Sequence, residues 1–495
     1  MGMMTFHLPA ELSADAVRDL ERACVAGGPD NMPWPTHLHR QDGKLVAEKA
    51  SEESGYFLAP WPVEQVGRLM TSSATLMERA AAYVLLIELA RGKVNQVRNQ
   101  AADWESDGLQ MEPDLRRQLQ AAARTFGLVL TQDSPEAVAH QANAALTLGF
   151  QTAKQLVETY ADQVFAIRSQ RGKLDTTLGC RIGVVPPPAP LAAELARSCN
   201  TLCVPISWNT VEAEQAGYRW KETDALVDWA MKQNVPLSAG PLLDFSSSQV
   251  PAWLWEWERD VPSMATFMVR FVEAALRRYR GRIRRWHLTA ASNWSSILGL
   301  GEEELLGLTY RLVESARQVD PGLEYVVGVS QPWGEYLAQS DRVHSPFVFA
   351  DTLIRSGLNL AALDVEVVMG VTPRGSYCRD LLEMSRLLDI YAQLGVPLRV
   401  TLGYPSDAKA DRDADPEMRV DAGSLGDGFS PASQADWATA YAALALAKPS
   451  VHGVQWTHFS DAEPHQFPHC GLVDAQGAPK PALARLRELR ERYLS

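Results

Sequence analysis

Residues 262–293 constrain the fold more than any other stretch of the chain. Between Pro262 and Arg280, the residues Phe267, Met268, Phe271, Val272, Ala275 and Leu276 recur so as to lay one apolar stripe along a helix. Gly281 follows, the residue type that most readily takes the left-handed conformation closing a helix. Residues 283–289 then read as a short strand, and small polar residues come after it. Helix, glycine, strand and polar strand end make one unit of a parallel α/β fold. In barrels built from such units, chemistry sits at the C-terminal ends of the strands.

The same rhythm extends on both sides. After Leu178 strands and helices alternate. Eight strand candidates are residues 181–185, 201–206, 235–243, 283–289, 324–330, 363–369, 398–402 and 451–456. Helical patterns follow most of them, at 220–233, 302–319, 377–394, 430–447 and 479–493. Ser430 is placed as an N-cap with Pro431 at the first helical position. Eight such units in one run predict a (β/α)8 barrel over 178–495. An open doubly wound sheet is the competing topology, but it would favour a glycine-rich phosphate loop after its first strand. Here that strand ends Gly183-Val184-Val185-Pro186-Pro187-Pro188.

The part before the barrel divides in two. Residues 1–75 hold short apolar pieces between turn signals such as 27–31 and Asp42-Gly43, which predicts a small β-rich module with one helix near 14–25. Residues 76–175 predict a helical region, with helices over 76–91, 113–126 and 134–168. Three such helices on short connections suggest a layer packed against the barrel. The polar run from Arg91 to Gln100 could hold a ligand but reads better as a solvated helix face.

A net charge of −13 without a long basic run argues against nucleic acid and anionic membrane surfaces. No run of apolar residues is long enough to span a bilayer. Six scattered cysteines with no Cys-x-x-Cys pair read as reduced, buried thiols. The expectation is a cytoplasmic protein with no cofactor, whose protein partners the sequence does not name.

The pattern Tyr279-x-Gly281-x-Ile283-x-x-Trp286 resembles glycoside hydrolase family 10, the xylanase-type (β/α)8 barrels. Further likenesses follow in order: Trp208 through Trp220 on the second unit, Asp224-Ala-Leu-Val-Asp-Trp-Ala230, Pro251-Ala-Trp253, Asp320-Pro321, Leu394-Gly395 and Lys480-Pro-Ala482. The resemblance implies a general acid/base glutamate at the end of the fourth strand, and that position falls on Ala291. It implies a nucleophilic glutamate on the seventh strand, where Val400-Thr401-Leu402 puts Leu402. Ser207 and Gly240 stand where the family has a substrate-binding lysine and a histidine. Retaining hydrolysis needs two carboxyls about 5–5.5 Å apart, so the standard mechanism is expected to be absent.

Other carboxylates offer a relocated pair: Glu335 after the fifth strand, with Asp244 after the third or Asp461 after the eighth. Glu366 and Arg399 read as an outward cross-strand ion pair, with Met369 and Leu402 pointing inward. Trp208, Trp253, Trp294, Trp333, Tyr404 and Trp456 fall at strand ends or in the following loops, where rings stack on sugar faces or simply pack the rim. Asn209, Asn293, Gln331 and His458 are their candidate polar partners for ligand hydroxyls. The loop from Trp456 to His469 gathers three histidines and two carboxylates. Pro464 and Pro468 exclude a helical His-x-x-x-His arrangement, so these read as hydrogen-bonded loop histidines and no metal is expected. Three readings stay open: a carbohydrate-binding relative without standard hydrolysis, an active glycosidase with relocated carboxylates, and a protein-interaction scaffold.

Overall fold

The computed structural model describes residues 2–9, 12–28 and 30–495. Pro29, within the turn signal at 27–31, lies outside them. Eight parallel strands close into a barrel: Thr177–Arg181, Thr201–Val204, Leu237–Ala239 continued by Leu243–Asp244, Arg285–Ala290, Glu324–Val329, Ala362–Val368, Leu398–Gly403 and Val451–Trp456. Each pairs with its sequence neighbour, and the eighth returns to the first through Val454 opposite Leu178. The fold is a (β/α)8 barrel preceded by a small β-rich module and helices.

Local chemistry accounts for the pieces. The organising helix runs Val261–Arg278, its Asp260 side chain accepting from the Ser263 N–H, and Gly281 has φ +74°. Ser430 caps Pro431–Ala447 through the Ser433 N–H. The first strand, however, lies at Thr177–Arg181, four residues before its expected place. The proline run cannot feed a ladder, and the N–H groups of Val184 and Val185 donate instead to Glu463 Oε2 at 2.6 and 3.2 Å.

The N-terminal module is two packed sheets. One orders Thr36–Gln41, Lys44–Lys49, Gly2–His7 and Tyr83–Val84. The other orders Ser424–Leu425, Gly67–Ser72, Tyr56–Val63, Cys24–Gly27 and Met32–Pro33. Phe6 and Phe57 stack between them with centroids 4.3 Å apart. Ser424–Leu425 comes from the loop after the seventh barrel strand, so the barrel completes this sheet. The helix expected near 14–25 stops early: Ala14–Asp19 leads through a short 3-10 turn into the strand Cys24–Gly27.

The helix expected from 76 begins only at Leu85 and runs to Ser106. Strand pairing of Tyr83–Val84 with Phe6 and His7 overrides the helix propensity before it. Pro113–Val129 and Pro135–Arg168 complete a helical layer that packs on the barrel helices Leu381–Ala392 and Pro431–Ala447. The buried Lys93 ammonium ties the layer to Asp380 at 2.5 Å. Among the described residues no helix is long and apolar enough to cross a membrane, and all six cysteines are free and buried.

The barrel lumen is charged. On the sixth strand Leu363, Val365 and Val367 belong to the main apolar core, so Asp364 and Glu366 alternate to the other side. Thr401 on the seventh strand donates to both Asp364 oxygens, at 2.9 and 2.8 Å, and Arg399 Nε lies 3.1 Å from Asp364. This corrects the expected Glu366–Arg399 pair. The ladder sets Arg399 opposite Asp364, and these charges face inward while Leu402 turns outward.

Candidate functional site

At the C-terminal face one side chain dominates the barrel mouth. Arg374 comes from the loop after the sixth strand and is 1% exposed. Its Nη1 lies 2.7 Å from both Asp244 oxygens, at the end of the third strand across the barrel. Its Nε and Nη2 make a two-pronged contact with Glu366, each at 2.7 Å. Ser246 Oγ takes a further Nη1 bond at 2.9 Å, and Gln466 donates to the same hydroxyl at 3.1 Å. A guanidinium and two carboxylates therefore fill the space at the strand ends. Such planar, doubly bonded pairing is the strongest geometry available to these groups.

Burial pushes the Asp244 carboxyl upward, but the charge and hydrogen bonds of Arg374 outweigh it and hold it below the ordinary aspartate value. A carboxyl depressed in the folded state stabilises the fold above its unfolded pKa, and that stabilisation is lost as pH falls through the folded value. The stability difference between wild type and Asp244→Asn is therefore expected to be constant above about pH 5 and to narrow below about pH 4. Urea unfolding at a series of pH values reads this directly. A gap that widens toward acid would contradict the Arg374 pairing.

Beside this plug lies a cavity of about 350 Å³ over strands one to three and eight. Ser207, Asn209, Gln249, Asp413, Asp415, Glu463 and Gln466 give it hydrogen-bonding walls, with Phe459 and Phe467 as apolar contacts. Local bonds fix its rim. Asn209 Nδ2 donates to the Ser248 carbonyl at 2.6 Å, and Ser248 Oγ donates to Asp415 at 2.5 Å. The second bond locks the loop after strand seven over the loop after strand three.

Of the expected ligand residues, Trp208, Asn209 and His458 line this cavity, as does Asp244. Trp208 is itself buried, donating to Glu212 at 2.7 Å and stacking on Phe271. Trp253 donates to the Glu212 carbonyl at 2.8 Å and meets Trp208 edge-on. Tyr404 stacks on Trp437 and accepts from the Leu425 N–H. Trp456 donates to the Cys470 carbonyl at 2.7 Å. These four rings act as packing. Trp294 is half-buried, and its indole N–H has no hydrogen-bond partner among the described residues. Asn293 closes a reciprocal pair with the Ser330 backbone, both bonds 2.9 Å, and Gln331 bonds the Pro373 carbonyl and the Tyr336 N–H.

Trp333 lies elsewhere, under the Arg379 guanidinium in a separate cleft that also holds Asn95 and Asn99. Glu335 is bound by Arg379 and the Tyr377 N–H. Asp461 sits on Lys480 at 2.5 Å and accepts from the Gly471 N–H at 2.7 Å. Asp244, Glu335 and Asp461 thus each have a cation of their own. The contacts bring no two of them together.

The two positions on which the resemblance would place the family's glutamates differ in kind. Ala291 is fully buried with φ +62°, a left-handed turn directly after the fourth strand. Leu402 belongs to the apolar layer outside the barrel. The lumen-facing neighbour is Gly403, where a Cβ would stand 2.9 Å from Thr457 Cγ2 and 3.1 Å from Val368 Cγ2. A side chain at 403 would require Thr457 or Val368 to give way.

Sequence reading missed Arg374 and the acidic loop. Arg374 is a lone arginine in Thr372-Pro373-Arg374-Gly375, without a signal of its own. Asp411, Asp413 and Asp415 recur at every second residue, a pattern visible in the sequence.

Comparison with known proteins bears out the resemblance. The family model described as glycosyl hydrolase family 10 matches residues 192–290, from the helix before the second strand to the end of the fourth. Similar solved structures include xylanase 10B from Thermotoga petrophila in complex with xylobiose, 14% identical over 68% of this chain and 97% of that one, with a TM-score of 0.48. Native xylanase 10B from Thermotoga maritima is 13% identical over 68% and 98%, at 0.48. An intracellular xylanase from Thermoanaerobacterium saccharolyticum is 16% identical over 63% and 95%, at 0.47.

Proposed function

We propose that this glycoside hydrolase family 10-like barrel binds a carbohydrate in the cavity over strands one to three and eight, and does not perform the family's retaining hydrolysis. The observation that carries the reading is the Arg374 plug. It commits Asp244 and Glu366 to one guanidinium in the place where a reacting carboxyl pair would stand. A depressed carboxyl is a poor general acid near neutral pH. No partner for it arises from Ala291 or Leu402.

The neighbouring cavity has the chemistry of a sugar site: amides, hydroxyls and carboxylates in one small volume with two aromatic edges. Six buried free thiols support a reducing compartment, in keeping with a cytoplasmic location. Calorimetric titration with a panel of β-linked oligosaccharides tests the binding half. At least one member is expected to bind, and Asn209→Ala is expected to weaken it about tenfold, the size of one good hydrogen bond. Trp333→Ala, in the other cleft, is expected to leave it unchanged. Failure of every member to bind, or loss on Trp333→Ala alone, would overturn this placement.

A further inference from the structure

At the cavity wall four side chains from two loops converge. His458 Nε2 lies 3.0 Å from Asp461 Oδ1. His465 Nε2 lies 3.1 Å from Asp411 Oδ2 and 4.0 Å from Asp461 Oδ1. The two imidazoles are stacked, with centroids 4.4 Å apart. One ligand atom from each of His458, Asp461 and His465 lies within 4.8 Å of the others. Both rings line the cavity, while the carboxylates are almost wholly buried.

The surroundings of His465 place it at the centre of this group. Its Nδ1 is 2.8 Å from the Glu463 carbonyl, which only accepts, so that nitrogen carries a proton. Its Nε2 faces carboxylate oxygens from two loops. A metal ion would gather His458, His465 and Asp461, whose ligand atoms already lie close together, with Asp411 against the His465 ring.

From this geometry we infer a divalent-cation site formed by His458, His465 and Asp461, with Asp411 supporting it through His465. The ligand supports have the usual form: a backbone carbonyl orients His465, and the His469 N–H and the Lys480 ammonium hold the carboxylates at 2.9 and 2.5 Å. Two imidazoles, with one carboxylate charge offset by Lys480, select a nitrogen-preferring transition ion of the zinc type over calcium or magnesium. The inference is independent of the carbohydrate reading, and its test contains no sugar.

The test titrates zinc chloride into chelator-stripped full-length protein by calorimetry, with cobalt absorption as a second readout. One ion per chain and a cobalt spectrum of mixed nitrogen and oxygen ligation are expected. His465→Gln and Asp411→Asn should each weaken binding by at least about tenfold, with folding checked by circular dichroism. His452→Gln, on an exposed strand position, should leave it unchanged. No uptake by wild type would overturn the site whether or not the variants fold. Uptake that survives both variants would also overturn it, by placing the ion elsewhere, for example at the surface pair His37 and His39.

Discussion

Replacing Arg374 with methionine is expected to destabilise the protein by about 3–5 kcal/mol, the usual cost of leaving buried charges unpaired. Both partners are affected: Asp244 and Glu366 are each less than a tenth exposed and face one guanidinium. Removing the whole cluster should cost much less. Arg374→Met with Asp244→Leu and Glu366→Met exchanges three desolvated charges for apolar volume, and such exchanges are often neutral or better. Urea midpoints of the single and triple variants measure the difference. A mild single variant would mean that water reaches the plug. A triple variant no better than the single would mean that the cluster holds the strand ends in place by more than charge.

Leu402→Glu carries the second large effect. It restores the residue type that the family resemblance implies, yet it is expected to cost a similar ~3–5 kcal/mol and to yield no hydrolysis. Thr401 points into the lumen at Asp364, so the next side chain turns into the apolar layer beneath the helices. A glutamate there is an unpaired charge in a dry environment. Combining it with Ala291→Glu adds a bulky side chain at a buried left-handed position, where non-glycine residues already carry strain. A folded double variant that releases reducing sugar would show that Leu402 faces the lumen after all.

These two positions also mark where the sequence is legible. The apolar stripe of Val261–Arg278, the turn at Gly281 and the strand after it follow from spacing and residue type, because local periodicity settles such elements. The barrel count follows for the same reason. Which face of a strand is the lumen does not follow. A barrel strand is buried on both sides, so Glu366 and Arg399 read as an outward pair although they face the interior, and the face of Met369 and Leu402 reads as a lumen it does not line. The aromatic residues at strand ends were legible as rim residues. Their polar tips were not: Trp208, Trp253 and Trp456 all donate to the protein itself. Arg374 was invisible because its partners lie 130 and 8 residues away, on opposite sides of the barrel.

The most direct test of a binding barrel without retaining hydrolysis is turnover in oxygen-18 water. Wild-type protein would be incubated with whichever oligosaccharide it binds, and the products read by mass spectrometry. The expected result is intact oligosaccharide with no isotope incorporated. Cleavage with label at the new reducing end, abolished by Asp244→Asn or Glu335→Gln, would contradict it and would identify the carboxylate that replaced the missing pair.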